Sequence, residues 1–423
     1  MYRDSFSFDD WVRYGDELRR PILIHPKLSS SKEVVIVGGG LSGLVIAYRI
    51  GVKRPDINVK ILEKRPMLGG VIETWKKDDW ICDLAVNASR PHPSVWRLID
   101  DLGLEKKFES SNPIATKRWI YVNGKKKEIN LFYMIKIAIK MMLNRTISRA
   151  RKGGCSVSEL FPERDFADAM TLGIVNDTAG NVDADFLFPN LTKFGKEPPK
   201  KWKKVNKHIQ KSFPMFKPKR GTIASIEGGM ETLIRTLVKQ ISELNNVTVE
   251  INSEYKSPEE LADKKGIPIH SIIWAAPLFN QTDESKISIF AVGYRNVDVE
   301  SQDIGYGTLI PDSKIPISGI LNETDVHSSR RAPKDHRLFR LMVPNNRWNG
   351  NPIVIKECAK NLISNKEPVI FEYLGERYIP SYPPGYMLSL KKYKPDFTHS
   401  GWGFSGVSIT HVIAEAERIS DIF

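Results

Sequence analysis

A glycine-rich turn between a short strand and a helix constrains the fold of this chain more than any other feature. The run EVVIV at 33–37 is apolar and β-branched, as in a buried strand of a parallel sheet. The turn GGGLSG at 38–43 follows, matches the pattern G-x-G-x-x-G, and leads into a helical segment at 44–52. A second strand, NVKIL at 58–62, ends at Glu63, 20 residues after the last glycine of the turn. Together these features predict a dinucleotide-binding βαβ unit.

Each position of this turn has a physical role in holding a dinucleotide. Gly38 permits the tight turn, Gly40 lets the backbone approach a pyrophosphate, and Gly43 lets the helix pack closely on the strand. The helix N-terminus adds free N–H groups and the positive end of a dipole. Glu63 can accept hydrogen bonds from a ribose diol. The alternative is a glycine-rich turn without a ligand, and the complete pattern argues against it.

Glycines elsewhere in the chain favour FAD over NAD. Paired glycines end the loop RPMLGG at 65–70, as in flavoenzymes of the amine-oxidase superfamily. A second glycine-rich turn, GWGFSGVSI at 401–409, precedes an apolar helix at about 411–419 and forms a second anion or flavin site. A third, EGGMETL at 227–233, begins a helix that precedes a strand such as 247–251. All three turns resemble that superfamily.

Composition bounds the class of protein. The chain has 423 residues, of which 41% are hydrophobic and 27% charged, so it can build a large soluble core. Its net charge of +13 favours an acidic partner: anionic lipid, nucleic acid or an anionic small molecule. Cys82, Cys155 and Cys358 are too far apart for a disulfide framework or a CxxC motif. No apolar run is long enough to predict a transmembrane helix, and the first 30 residues do not indicate a compartment.

Five stretches of the chain carry a resemblance to a known family. They are VVIVGGGLSGL at 34–44, ILEKRPMLGGVIE at 61–73, KRWIYVNGK at 117–125, DIGYGTLIPDS at 303–313 and GFSGVSITHVI at 403–413. The first two occur throughout the amine-oxidase superfamily, whereas the third and fourth are more specific. Together they resemble the protoporphyrinogen IX oxidase family, whose members are oxygen-dependent, FAD-containing enzymes of heme synthesis.

The resemblance implies a fold and an activity. The fold would be α/β, with a Rossmann-like FAD-binding domain, a mixed-sheet substrate domain and a helical membrane-facing insert. The activity would be the six-electron oxidation of protoporphyrinogen IX to protoporphyrin IX, with dioxygen as acceptor and hydrogen peroxide as product. The flavin carries the hard step while the protein holds the macrocycle and excludes water, so no catalytic acid or base is named. Another FAD oxidase of the superfamily, or an inactive flavin-binding relative, stays open as an alternative.

The resemblance also implies FAD contacts in several parts of the chain. Val71 and the turn 85–88 would lie near the flavin, the residues after Gly401 would line its other side, and Tyr255 would lie at the adenosine end. The full set of expected FAD contacts is Gly38, Gly39, Gly40, Leu41, Ser42, Gly43, Glu63, Lys64, Val71, Ala85, Val86, Asn87, Ala88, Tyr255, Trp402, Val407, Ser408 and Ile409.

Five further residues are expected to contact the tetrapyrrole. Arg118 matches a family arginine that pairs with a substrate propionate, and Tyr306 and Leu309 match apolar residues that sandwich the macrocycle. Met342 matches a further packing residue, and Gly173 matches a backbone carbonyl near the substrate. A propionate needs a cation in an apolar cleft, which supports the role of Arg118. The alternative for Arg118 is a surface residue on a strand.

The chain departs from the family pattern at three places. Some members carry Arg-Gly where this chain has Leu172-Gly173. The family usually has Gly-Pro where this chain has Ala85-Val86, and alanine is tolerated there only if its φ is negative. The stretch LMVPNNRWNG at 341–350 lacks an expected glycine pair. An inactive or divergent member is therefore an alternative.

Two basic segments suggest contact with a surface. The apolar segment LFYMIKIAIKMML at 131–143 carries two lysines and is followed by further basic residues, which suits an interfacial helix on anionic lipid. A helix buried in the core is the alternative. The stretch 193–220 has eleven basic residues and one acid, with no nucleic-acid-binding motif, so a solvated loop or lipid contact is expected rather than nucleic acid.

These observations give a domain map and a location. By resemblance, the protein would lie peripherally on the mitochondrial inner membrane, and a homodimer and contact with the next enzyme of heme synthesis stay open. The expected domains are an N-terminal extension at 1–30, the FAD domain at 31–100, 221–275 and 395–423, the substrate domain at 101–124 and 276–394, and the insert at 125–220.

Overall fold

Strands and helices are mixed throughout the part of the chain that this computed structural model describes, residues 19–90, 92–196, 223–277 and 284–423. In chain order the strands are β1 (Glu33–Val37), β2 (Asn58–Leu62), β3 (Thr74–Lys77), β4 (Trp80–Asp83), β5 (Phe108–Ser110), β6 (Arg118–Val122), β7 (Lys125–Glu128), β8 (Ala224–Ile226), β9 (Val247–Glu250), β10 (Ile272–Trp274), β11 (Glu284–Arg295), β12 (Gly307–Leu309), β13 (Gly319–Asn322), β14 (His336–Pro344), β15 (Ile370–Pro380) and β16 (Thr398–His399). The α-helices are α1 (Leu41–Lys53), α2 (Pro93–Asp101), α3 (Leu131–Leu143), α4 (Thr146–Ala150), α5 (Val157–Leu160), α6 (Arg164–Val175), α7 (Ala184–Leu187), α8 (Glu231–Ser242), α9 (Pro258–Lys265), α10 (Glu323–Val326), α11 (Pro352–Leu362), α12 (Tyr386–Lys392), α13 (Trp402–Ser405) and α14 (Ile409–Ser420).

A five-stranded parallel sheet, in the order β16-β10-β1-β2-β9, forms the first unit of the fold. Both of its faces are covered, because alternate residues of β1 enter two different cores. Val34 and Ile36 pack with α1, α2, α8 and α14, whereas Val35 and Val37 pack with residues such as Leu261. Burial on both faces explains why the strand is a continuous β-branched run.

The predicted Rossmann-like unit is confirmed, with one difference at the start of its helix. The strands lie at the predicted positions, and β1 pairs in parallel with β2 from Glu33 to Val37. The helix α1 begins at Leu41, three residues earlier than predicted, because Gly40 has the extended conformation of an N-cap residue.

A seven-stranded mixed sheet forms the second unit, in the order β15-β11-β14-β13-β12-β6-β7. The β12–β6 pair is parallel and the other pairs are antiparallel. The dipeptide Asn123-Gly124 is typical of a two-residue hairpin turn, and it forms the turn between β6 and β7, with the left-handed φ values of 53° and 76° that such a turn requires. The hairpin brings Lys125–Glu128 into this sheet, beyond the boundary predicted at residue 124.

Helices α3 to α7 share a third core with α12 and the C-terminal turn. Ile137 and Met141 of α3 pack in the same cluster as Phe186, Tyr382 and the partly buried Val407. The predicted helix over 131–143 is confirmed by α3. None of the helices in the described ranges combines the length and the apolar character needed to cross a bilayer. Most of the predicted basic stretch, from residue 197 onward, and residues 1–18 of the N-terminal extension lie outside the described residues.

Candidate functional site

The fingerprint turn lies at the carboxyl end of β1, where its glycines do different things. A Cβ on Gly43 would lie 2.0 Å from the Gly38 carbonyl oxygen, so the neighbouring backbone leaves no room for a side chain at this position. A Cβ on Gly40 would meet only the Gly70 Cα, at 3.7 Å, which is ordinary contact. Gly40 therefore borders open space at the N-terminus of α1, where a pyrophosphate would meet the free N–H groups.

The loop after β2 closes against this turn. Gly69 donates from its N–H to the Gly39 carbonyl oxygen at 2.8 Å, and Gly69 and Gly70 have φ values of 123° and 63°. A Cβ on Gly70 would approach the Gly40 Cα to 3.0 Å. Because glycine has no side chain, the paired glycines let the loop that follows Glu63 approach the fingerprint backbone closely.

Glu63 is 6% exposed, and backbone N–H groups fix its carboxylate. Gly39 N–H donates to Oε2 at 2.7 Å and Arg65 N–H donates to Oε1 at 2.9 Å. A carboxylate oxygen has two lone-pair sites, so each oxygen keeps one for a ribose hydroxyl. The geometry of Glu63 thus fits the role expected from the sequence.

A buried ionic network precedes the turn at 85–88. Asp83 pairs with Arg331 (Oδ2–Nη1 2.9 Å), and its Oδ1 accepts from the Met230 N–H at 2.8 Å. Arg340 donates to the Asp83 carbonyl oxygen and pairs with Glu323 at 3.1 Å. All four ionic side chains are at most 6% exposed. The network fixes the end of β4, and it was not expected from the sequence, because partners such as Asp83 and Arg331 lie 248 positions apart.

The turn 85–88 leads from this network towards the mixed sheet. Ala85 is absent from the described non-glycine residues with left-handed φ, so alanine is tolerated at this family position. Asn87 Nδ2 lies 3.5 Å from Tyr306 Oη, as donor to acceptor. Val86 packs against the core of the parallel sheet, as does Trp402. Residues expected on two sides of a flavin thus border the same core.

The C-terminal turn is fixed by hydrogen bonds and by its glycines. Gly401 and Gly406 have φ values of 110° and 106°. Tyr382 Oη donates to the Trp402 carbonyl oxygen at 3.0 Å, and Ser408 caps α14 by accepting from the His411 N–H. Of the other expected cofactor residues, Val71 is 36% exposed and Tyr255 packs against the outer core of the parallel sheet.

The expected substrate residues lie along one part of the mixed sheet. The register pairs Leu309 with Gly319 and Gly319 with Met342. A Cβ on Gly319 would lie 2.5 Å from Met342 Cε, so glycine makes room for that side chain. Gly173 of α6 reaches the same place, since a Cβ there would lie 2.9 Å from Leu309 Cδ2. The glycine at 319 was not predicted, and its register could not be read from the sequence.

Arg118 begins β6 beside this apolar row. Its guanidinium carbon lies 4.6 Å from the centroid of the Tyr306 ring, a cation–π contact. The side chain is exposed, and it forms no ion pair within the described ranges. The arrangement can accept a carboxylate at the edge of an apolar wall.

The residues of the fingerprint fit FAD. Open space beside Gly40, free N–H groups at the start of α1 and the fixed carboxylate of Glu63 suit a pyrophosphate and a ribose. Among the described residues, no group of three histidine, cysteine, aspartate or glutamate side chains could hold a metal ion.

Comparisons with known proteins agree with this geometry. The family model for flavin containing amine oxidoreductase matches residues 41–264, more than half of the chain. The mitochondrial protoporphyrinogen oxidase of Nicotiana tabacum is 28% identical over 320 residues, which cover 66% of this chain and 61% of that protein. Protoporphyrinogen oxidase 2 of Arabidopsis thaliana, described as chloroplastic/mitochondrial, is 23% identical over 93% of this chain and 94% of its own length.

Solved structures share the fold at low sequence identity. A protein from Exiguobacterium sp. 255-15, provisionally named a protoporphyrinogen oxidase, has a TM-score of 0.64 and 15% identity over 92% of this chain and 98% of its own. Putrescine oxidase with bound putrescine has a TM-score of 0.59 and 12% identity over 92% and 97%. The fold is therefore common to enzymes with different substrates. The chain belongs to the flavin-containing amine oxidoreductase family and is an FAD-dependent oxidoreductase.

Proposed function

We propose that this oxidoreductase oxidises protoporphyrinogen IX to protoporphyrin IX with dioxygen as acceptor. The observation that carries the proposal is the position of Arg118, stacked on Tyr306 at one end of the apolar row from Leu309 to Met342. A tetrapyrrole has an apolar macrocycle and anionic propionates, so it needs an apolar wall with a cation at its edge. The similarity to two plant protoporphyrinogen oxidases also supports this substrate.

The residues of the chain have binding and positioning roles in this scheme. Arg118 would bind a propionate through two parallel hydrogen bonds, and Leu309 and Met342 would pack on the macrocycle. The fixed turn at 85–88 and the residues after Gly401 would hold the isoalloxazine ring in place. When bound, FAD supplies the electron acceptor for the substrate C–H bonds. The protein then contributes orientation and exclusion of water.

Turnover with a defined substrate tests the proposal. Purified protein is mixed anaerobically with protoporphyrinogen IX while the flavin absorbance is followed, and putrescine serves as the control substrate. We expect protoporphyrinogen IX to bleach the flavin, and porphyrin fluorescence to appear when air is admitted. Bleaching by putrescine alone would assign the protein to the amine oxidases. A flavin that neither compound reduces would contradict the proposed activity.

We also propose that α3 docks on an anionic lipid surface. Seven apolar side chains of this helix are between 41% and 80% exposed: Leu131, Phe132, Met134, Ile135, Ile139, Met142 and Leu143. Ile137 and Met141 on the opposite side are 2% and 6% exposed and anchor the helix to its core. Lys136, Arg145, Arg149, Arg151 and Lys152 are exposed around this face. An apolar face surrounded by cations suits a bilayer with anionic headgroups.

A further inference from the structure

Three buried residues connect the two glycine-rich turns of the cofactor site. Ser42 of α1 shares a hydrogen bond of 2.5 Å with Ser400, which precedes the C-terminal turn. Ser400 Oγ donates to Glu415 Oε2 of α14 at 3.0 Å, and Gly401 N–H donates to the same oxygen at 2.8 Å. Ser42, Ser400 and Glu415 are 6%, 2% and 3% exposed. The three side chains form a continuous path from the fingerprint turn to a buried carboxyl group.

The protonation state of Glu415 determines the direction of the hydrogen bonds along this path. An ionised carboxylate can only accept, so Ser400 must donate to Glu415, and Ser42 then donates to Ser400. A serine hydroxyl has one proton, so Ser42 has none left for a ligand. A protonated Glu415 can donate to Ser400, and Ser400 can donate to Ser42. The Ser42 hydroxyl can then donate its own proton to a ligand at the N-terminus of α1.

A pyrophosphate at the N-terminus of α1 favours the second arrangement. Its oxygens are anionic at neutral pH and only accept hydrogen bonds. A hydroxyl next to them is favourable when it donates and unfavourable when it presents its lone pairs. The bound cofactor and the protonated form of Glu415 therefore stabilise each other through Ser400.

The surroundings of Glu415 allow it to change charge near neutral pH. Burial raises its pKa to about 7, although the Gly401 and Ser400 hydrogen bonds and the cations Arg418 and Arg20 act in the opposite direction. On α12, Tyr386 has its own pKa raised by burial and by the charge of Glu415. The cations that α1 and α2 direct at α14, Arg49 and Arg97, pair with Glu417 instead.

We propose that FAD binding is coupled to the uptake of one proton by Glu415 through Ser400 and Ser42, so that FAD affinity falls as the pH rises above neutrality. The proton comes from the solvent, and no covalent step is involved. The inference rests on the FAD site of the family and does not depend on the substrate proposed above.

The affinity of the holoprotein for FAD, measured as a function of pH, tests this coupling. The protein is diluted until part of its FAD dissociates, and the free flavin is measured by fluorescence. By linkage, the slope of log Kd against pH gives the number of protons taken up on binding. For the wild type we expect about tenfold weaker binding at about pH 9 than at about pH 6, which corresponds to a pKa increase of about one unit on binding.

Variants distinguish the path from a merely structural role. Ser400→Ala breaks the path and Glu415→Gln removes the titrating group, so in both the FAD affinity should change by less than about twofold over the same pH range. Ser420→Ala is a matched control. Ser420 is a buried serine of α14, the helix that carries Glu415, but it donates to the Ala416 carbonyl oxygen and lies outside the path. It should keep the pH dependence of the wild type.

Two results would overturn the inference. One is a wild-type FAD affinity that does not change with pH, a result that does not depend on whether any variant folds. The other is a Ser400→Ala protein that retains the full pH dependence. In that second case, a uniform loss of affinity with an unchanged slope in Ser400→Ala and Glu415→Gln would assign both residues a structural role.

Discussion

The guanidinium carbon of Arg118 lies 4.6 Å from the centroid of the Tyr306 ring, across a parallel pairing of β6 and β12. This contact orients an exposed cation towards the apolar row that continues through Leu309 and Met342. The guanidinium group is planar, so when one face stacks on a ring the N–H groups along its edge can still donate to both oxygens of a carboxylate. The relationship predicts what removal of the cation would do.

Arg118→Ala should raise KM for protoporphyrinogen IX by roughly ten- to hundredfold, since a charge-assisted pair contributes about 1.5–3 kcal/mol. The FAD content should stay normal, and kcat should fall less than kcat/KM, because the propionate is remote from the reacting carbon. Arg118→Lys should restore only part of the loss, since an ammonium cannot reproduce the fork. Steady-state kinetics measure all three effects.

Lys117→Ala is the matched control for Arg118, because Lys117 is also an exposed cation and directly precedes it. In an extended segment successive side chains point to opposite faces, so Lys117 lies on the face away from Arg118. Its KM should stay close to that of the wild type. If Arg118→Ala left KM unchanged in an active protein, Arg118 would not bind the substrate propionate.

Gly40 and Gly43 should respond differently to the same substitution. A Cβ at Gly40 meets only the Gly70 Cα at 3.7 Å, so Gly40→Val should fold but exclude the pyrophosphate. A Cβ at Gly43 would lie 2.0 Å from the Gly38 carbonyl oxygen, so Gly43→Val must displace α1 from β1. Flavin absorbance per protein should fall in both variants. The thermal midpoint measured without FAD should fall markedly for Gly43→Val alone, and a yellow Gly40→Val protein would contradict the assignment of the site.

Much of the cofactor site could be predicted because its determinants are local in sequence. The first strand, the fingerprint turn and Glu63 lie within 31 consecutive residues. Neighbouring backbone leaves no room for a side chain at Gly38 and Gly43, whereas Gly40 borders the open space of the site. The hairpin turn at Asn123-Gly124 was predictable for the same reason, since both residues tolerate left-handed φ.

The rest depends on contacts between distant segments. Asp83 meets Arg331 and Ser42 meets Ser400 only when segments that are far apart in the sequence come together in the fold, and no local pattern identifies these partners. The exposed face of α3 illustrates a different limit. The apolar pattern at 131–143 fits both an interfacial and a core helix, and tertiary packing determines which side chains are exposed.

The pair of Arg340 and Glu323 should be important for stability. The two side chains are 6% and 0% exposed and 3.1 Å apart. Burial would raise the pKa of Glu323, but Arg340, His327 and Arg331 lower it to about 2. Arg340→Met leaves a buried carboxylate without its main partner, so the free energy of unfolding should fall by about 3–5 kcal/mol. Urea unfolding measures the loss, and adding Glu323→Gln to the variant should recover part of it.

The same pair predicts that the stabilities of the wild type and of Arg340→Met depend differently on pH. In the wild type the depressed pKa of Glu323 contributes stability that is present above its unfolded pKa and is lost as the pH falls towards about 2. In Arg340→Met only His327 and Arg331 still oppose the effect of burial, so the pKa of Glu323 should rise. The stability difference between the variant and the wild type should then narrow as the pH falls from about 7 to about 5. If the difference between the variant and the wild type did not narrow at about pH 5, Arg340 would not control the charge of Glu323.

The face of α3 should bind anionic vesicles through both apolar and charged contacts. Ile135 and Ile139 are 46% and 48% exposed, so the double variant Ile135→Glu/Ile139→Glu should fold normally. Each isoleucine contributes about 1.5–3 kcal/mol when it is fully buried, so the loss of both should weaken vesicle binding by at least tenfold. Co-sedimentation with vesicles of phosphatidylglycerol and phosphatidylcholine measures it. High salt should weaken binding of the wild type without abolishing it, because the apolar part is not screened.

Ile137→Glu is the contrasting variant, since Ile137 is 2% exposed and its substitution should destabilise the fold. If the double variant unfolded as Ile137→Glu does, or bound vesicles as the wild type does, α3 would not be a lipid-binding helix.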